Sequence, residues 1–193
     1  MVKLLAAELK RTGITCLVTR EPGGTAVGDQ IRRLLASDTS ITPAAELALF
    51  IAARAQLVER VIKPALAKGN TVISDRYSDS TVAYQGYGRG LNRRLIADLI
   101  HLAVRGIEPD LTVLLDLPVK EAFKRRDAKP DRIERESVAF HERVRKGYLA
   151  MARAEPNRWL VLDSLQKPDA NLHELIRHIN KSTGLREALS GKA

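Results

Sequence analysis

Cysteine is almost missing from the 193-residue chain, where Cys16 stands alone. A single thiol excludes a disulfide framework and any metal site built on several cysteines, and it suits a reducing cytoplasm. Aromatic residues make up only 4%, too few for the stacking platform on which single-strand binders hold bases. No apolar run approaches the ~18 residues of a membrane span. The apolar patch at the N-terminus is broken by Glu8, Lys10 and Arg11, so neither an anchor nor a secretory leader is predicted there. His101, His141, His173 and His178 show no spacing with carboxylates that would build a metal site, and none is expected.

Apolar residues are plentiful, at 45%, which excludes an intrinsically disordered chain and allows a real core. The length suits one domain spanning residues 1–193. Charge is abundant and lopsided: 32 Lys and Arg against 23 Asp and Glu give a formal +9. That excess fits nucleic acid, small phosphorylated substrates or a merely soluble surface. Charge alone does not choose among them.

Short apolar strands alternate with helices along the sequence. Strands are predicted at 14–19, 71–74, 111–117 and 159–163. Helices are predicted from residue 1 to a stop at Gly13, and at 27–36, 43–68, 92–105, 120–126, 137–154 and 170–182. Such alternation describes an α/β fold, a doubly wound parallel sheet with helices on both faces. The opening is unusual, because the first helix starts in phase at residue one with neither a capping residue nor a strand before it. The chain is therefore expected to begin inside its first strand–helix unit, with the first, central strand missing.

Ligands of open α/β sheets sit at the carboxyl ends of the strands. Three strand ends here carry chemistry: Arg20-Glu21-Pro22-Gly23-Gly24-Thr25, Asp75-Arg76-Tyr77 and Asp116. Each has a plain alternative, since Gly-Gly makes turns and Asp-Arg makes structural ion pairs. Glu46, Phe50 and Arg54 are spaced by four and share a helix face. An aromatic ring with a guanidinium one turn on suits a planar base bearing carbonyls, although helical Phe is ordinarily core. Gln85, with an amide donor and acceptor, has the complement of a pyrimidine imide edge; the alternative is a surface loop closed by Gly86. The basic run from Lys124 to Arg145 is either a solvated face or a segment whose arginines close on a transferring phosphoryl group.

Several of these motifs, in this order and spacing, resemble the bacterial thymidylate kinases. They are Arg20–Thr25, Leu49-Phe50-Ile51-Ala52-Ala53-Arg54, Asp75-Arg76-Tyr77, Tyr84-Gln85-Gly86-Tyr87-Gly88-Arg89-Gly90 and Asp131-Arg132-Ile133-Glu134. The resemblance implies a P-loop-kinase-like fold and phosphorylation of dTMP to dTDP, with ATP as donor and Mg²⁺. It implies a homodimer, no nucleic-acid partner and no membrane. By the same resemblance Phe50 stacks on thymine, Arg54 holds a base carbonyl, and Thr81 and Gln85 address the rest of the base edge. Tyr84 would crowd the 2′ position of the sugar. Arg32 and Arg76 look like ligands of the monophosphate, Glu21 lies near sugar and metal, and Asp75 orients water or Mg²⁺. Arg126 and Arg132 fall in a lid region at about 124–136 and would reach the phosphates.

One motif of these kinases, G-x-x-x-x-G-K-[ST] between the first strand and first helix, is not in the sequence. With it go a backbone phosphate cradle, a lysine and a metal-binding hydroxyl. The expectation is a natural start upstream of Met1 and weak activity of the chain as written. The alternative is a non-catalytic dTMP-binding remnant. Nucleic-acid binding has only the +9 charge behind it.

Overall fold

The computed structural model describes residues 1–125 and 130–182. Helix α1 (Val2–Arg11) leads into β1 (Cys16–Arg20), α2 (Ala26–Ala36) and α3 (Pro43–Leu57). A π-helical turn at Val58–Ile62 carries α3 on into α4 (Lys63–Leu66). The wider turn falls just before Pro64, which cannot donate to the helix ladder. Then come β2 (Thr71–Asp75), α5 (Ser78–Thr81), a π-helical stretch at Val82–Gly88, and α6 (Arg93–Val104). Strand β3 (Thr112–Asp116), α7 (Val119–Lys124), α8 (Val138–Ala154), β4 (Trp159–Asp163) and α9 (Pro168–Lys181) complete the order.

Helix starts follow side-chain chemistry. Thr25 Oγ1 accepts from the Gly28 amide, Thr42 from Ala45, Asn92 from Arg94 and Leu95, and Ser137 from Phe140. Each supplies an acceptor to amides that the first helical turn leaves over. The stretch closed by Gly86, for which a surface loop was the alternative, is helical and continues through Gly88. Gly88 serves close packing: a Cβ there would sit 2.7 Å from the Phe140 ring. Across the same contact, a Cβ on Gly147 of α8 would sit 2.6 Å from the Tyr87 ring. Glycine on both sides lets α8 lie directly against residues 82–88.

The strands form two parallel pairs. β1 pairs with β2, from Cys16 opposite Thr71 to Arg20 opposite Asp75. β3 pairs with β4, from Thr112 opposite Trp159 to Asp116 opposite Asp163. Among the described residues no backbone ladder joins the pairs, as expected for a doubly wound parallel sheet whose first, central strand is not in this chain. β2 and β3 each have one neighbour, and both line a cavity of about 1000 Å³ along their whole length. Leu5 and Leu9 of α1 and Leu175 and Ile179 of α9 wall it too, with Asp75, Arg76, Asp116 and Arg145 among its polar lining.

Side chains lace the halves together. Both guanidinium Nη atoms of Arg158 donate to Asp79 at 2.9 Å, and Nη1 also reaches Thr112 Oγ1 at 2.9 Å. Buried clusters lie to either side: Leu57, Val58 and Ile62 toward β2, and Leu162, Leu175 and Ile179 beneath β4. Among the described residues no helix is long and apolar enough to cross a membrane.

Candidate active site

The chain leaves β1 through a turn that only glycine can make. Gly23 and Gly24 have φ of 140° and 73°, the second in the left-handed region. A Cβ on Gly24 would also lie 2.5 Å from Thr19 Oγ1 and 2.7 Å from Leu57. The Glu21–Pro22 peptide is cis, the Glu21 amide donates to Asp75 O at 2.9 Å, and the Glu21 side chain turns inward. Arg32, exposed on α2, donates Nη1 to Pro22 O at 3.1 Å. It therefore stands over this turn.

Glu21 meets Arg54 of α3. Arg54 Nε and Nη2 donate to Glu21 Oε2 at 2.9 and 2.6 Å, and Nη2 also donates to Thr81 Oγ1 at 2.9 Å. Arg54 is 1% exposed and Glu21 5%. Burial pushes the Glu21 carboxyl above its ordinary range, against the pull of Arg54. One end of each group is left over: Glu21 Oε1 and Arg54 Nη1 are buried without a partner. Tyr77 flanks the guanidinium, its ring centroid 5.5 Å from Arg54 Cζ. Its hydroxyl donates to Ile107 O at 3.0 Å, and burial raises its pKa.

The end of β2 presents Asp75 and Arg76, both exposed. Arg76 has φ of 69°, a left-handed conformation that costs about 1–2 kcal/mol in a residue bearing a Cβ. Ser74 Oγ donates to the Arg76 carbonyl at 2.6 Å and braces the turn. The Arg76 guanidinium lies over the Tyr84 ring, 5.1 Å from its centroid. Tyr84 in turn meets Phe140 and Tyr148 edge-on at 6.2 and 6.3 Å. The Tyr148 hydroxyl donates to Ser80 at 2.7 Å, and burial pushes its pKa up to about 12.

Glu46, on the first turns of α3, gathers a third group. Its carboxylate accepts from Gln85 Nε2 at 2.9 Å, from Arg89 Nε and Nη2 at 3.1 Å each, and from Arg132 Nη2 at 2.7 Å. Glu46 is 1% exposed. Burial pulls its pKa up, and the bonds from Arg89, Gln85 and Arg132 outweigh that, leaving it below the ordinary carboxylate range. Phe50, half-buried, lies between Glu46 and Arg54 along the helix. Arg89 also bonds Glu136 and lies 4.8 Å from the Phe140 ring centroid.

Most of the residues singled out from sequence thus gather around α3 and the 75–85 segment. Arg132 is the exception in character. Beyond Glu46 it donates Nε to Leu35 O at 3.3 Å, so its guanidinium is held between α2 and α3 instead of standing free. Arg126 lies outside the described residues. Sequence reasoning passed over the buried bonding of Glu46 with Arg89; a carboxylate one turn before Phe50, on a face otherwise apolar or paired, was the available signal. It also left Arg145 in a general basic run. Arg145 Nε and Nη2 each donate to an Asp116 oxygen at 2.8 Å, which holds that carboxyl below its usual range.

The family model described as thymidylate kinase matches residues 1–176. The chain belongs to the thymidylate kinase family. It is 49% identical over 175 residues to a thymidylate kinase of Geotalea uraniireducens, covering 86% of this chain and 82% of that protein. With that of Dehalococcoides mccartyi it shares 52% over 165 residues, covering 84% and 80%. The crystal structure of thymidylate kinase from Ehrlichia chaffeensis superposes with a TM-score of 0.74 at 33% identity, over 91% of this chain and 87% of that one. Family members are phosphotransferases, and the P-loop-kinase-like α/β arrangement accords with the split but parallel strand pairs described above.

Proposed function

We propose that the protein holds dTMP between α3 and residues 81–85, and that it converts it to dTDP with ATP. The observation behind this reading is the unpartnered Nη1 of buried Arg54. A buried donor without an acceptor costs about 1–3 kcal/mol, and a carbonyl of a planar base would relieve that cost. Glu21 and Thr81 fix the guanidinium plane, Phe50 supplies an aromatic face, and Gln85 adds an amide. Tyr84 beneath Arg76 would bound the sugar, while Arg76 and Arg32 would hold the 5′-phosphate.

Phosphoryl transfer asks a protein for positioning and charge neutralisation above all. Asp75, exposed at the end of β2, offers an oxygen donor to Mg²⁺. Among the described residues no three acidic, His or Cys side chains cluster as a cage. When bound, ATP with this ion supplies the phosphoryl group and neutralises its charge. Asp75 would orient the ion's water shell, and Arg76 would hold the acceptor phosphate in line. Arg126 would approach the transferred group, with Arg132 anchoring the segment that carries it.

The reading includes a homodimer and a cytoplasmic location. Leu95 and Leu102, seven apart on α6 and 53% and 70% exposed, offer an apolar stripe for a second copy, and sedimentation velocity checks it. Calorimetric titration with dTMP, alongside a melting curve, tests the pocket. A ligand at 100 times its Kd stabilises a fold by about 2.7 kcal/mol, so dTMP should raise the melting temperature. Coupled ADP release tests the transfer. No heat and no thermal shift with millimolar dTMP refute the reading.

A further inference from the structure

Glu46 lies outside the pocket as argued so far, yet it is among the most completely buried charged groups described and accepts from three side chains. An ionised carboxylate only accepts hydrogen bonds. The Gln85 amide, by contrast, can present either end to a neighbour, and only its hydrogen-bond network decides which. With Nε2 of Gln85 held at 2.9 Å by Glu46, the carbonyl oxygen is the end not used on Glu46. We infer that Glu46 is a specificity-determining positioning residue, which locks the Gln85 amide so that an acceptor, and not a donor, meets the base.

This inference rests on the dTMP reading and deepens it. Thymine carries an N–H at N3 beside a carbonyl at C4. Cytosine carries a bare nitrogen and an amino group at the same places. An acceptor on Gln85 beside a donor on Arg54 matches thymine and mismatches cytosine at both positions. Arg89 and Arg132 keep Glu46 charged in a buried site, and the charge is what forbids the opposite orientation. A neutral Gln at position 46 can donate as well as accept, so either orientation of Gln85 would be satisfied.

The experiment compares dTMP and dCMP binding by calorimetry on one preparation of each protein. The ratio of two Kd values on one sample does not depend on the fraction folded. The unsubstituted chain should prefer dTMP by about 10- to 100-fold or more, the usual discrimination when a site's polar groups would otherwise go unpaired. Glu46→Gln should bring that preference to within about threefold, chiefly by improving dCMP. Asn92→Ala, which removes a helix cap that makes no bond to this carboxylate, should lower the melting temperature but keep the preference. A preference that survives Glu46→Gln overturns the inference, as does an equal loss in Asn92→Ala, which marks general loosening.

A second measurement needs no nucleotide. The side-chain NH₂ signals of Gln85, identified by their disappearance in Gln85→Met, should exchange with solvent about tenfold or more slowly than those of exposed glutamines. Unprotected Gln85 signals in the unsubstituted chain overturn the inference even if Glu46→Gln does not fold. Protected signals with no binding of dTMP refute instead the substrate reading, and the claim to specificity falls with it.

Discussion

The Glu21–Arg54 pair allows a quantitative test, because its two halves are so deeply buried that removing one cannot be made good by water. Arg54→Met leaves Glu21 in a site where burial already raises its pKa, now without the guanidinium at 2.6 Å. Stranding one member of such a pair costs about 3–5 kcal/mol, whereas replacing both by apolar groups of similar volume is often near neutral. Glu21→Leu combined with Arg54→Met should therefore recover most of the loss. The pH dependence follows from the sign of the shift. In Arg54→Met the folded pKa of Glu21 rises further above the unfolded value of about 4.3, so the folded state favours the protonated form. The deficit is then small below pH 4, grows as pH rises through the unfolded pKa, and levels off above the folded one. The deficit should therefore be larger at pH 8 than at pH 4. Urea unfolding of the parent, both single variants and the double variant at the two pH values measures this. A deficit independent of pH, or a double variant no better than the sum of the singles, would refute the reasoning.

Other consequences can be checked more briefly. Gly147→Ala drives a Cβ to 2.6 Å from the Tyr87 ring and should destabilise by about 1–3 kcal/mol in a thermal melt. Asn92→Ala removes the acceptor for the amides of Arg94 and Leu95 and should cost about 1 kcal/mol. Asp116, held low by Arg145, contributes stability that is present above the unfolded pKa and lost as pH falls through the lowered folded one. Because the pair is partly solvated, its share should stay under about 1 kcal/mol. In Arg145→Gln the carboxyl resonance of Asp116 should titrate higher than in the parent.

The fold was readable to the extent that it rests on period and punctuation. Trp159–Asp163 is a strand in both readings because five residues of the right type are bounded by polar turns. Pro43 marked the start of α3 by chemistry that needs no tertiary context. The Val82–Gly88 stretch was assigned no helix, because its glycines break helical periodicity in isolation. Gly88 faces Phe140 and Val144, which sequence spacing does not bring near. Arg54 and Gln85 could be picked out because aromatic, guanidinium and amide groups are uncommon on such a helix and its neighbour. That Glu21 would lie beneath Arg54, 33 positions away, depends on the glycine turn directing a side chain inward. That Arg132 would close on Glu46, 86 positions away, depends on two helices meeting, and neither leaves a local trace.

The lacing of Arg158 to Asp79 and Thr112 has a mechanical meaning. A ladder of main-chain bonds resists shear along its whole length, but among the described residues this seam is crossed by side chains, with Arg158 and Thr112 both donating to Asp79 and Tyr148 donating to Ser80. The rim bearing Asp75 and the rim bearing Asp116 are thus plates on a side-chain suture. Among the described residues no main-chain hydrogen bond spans the two rims.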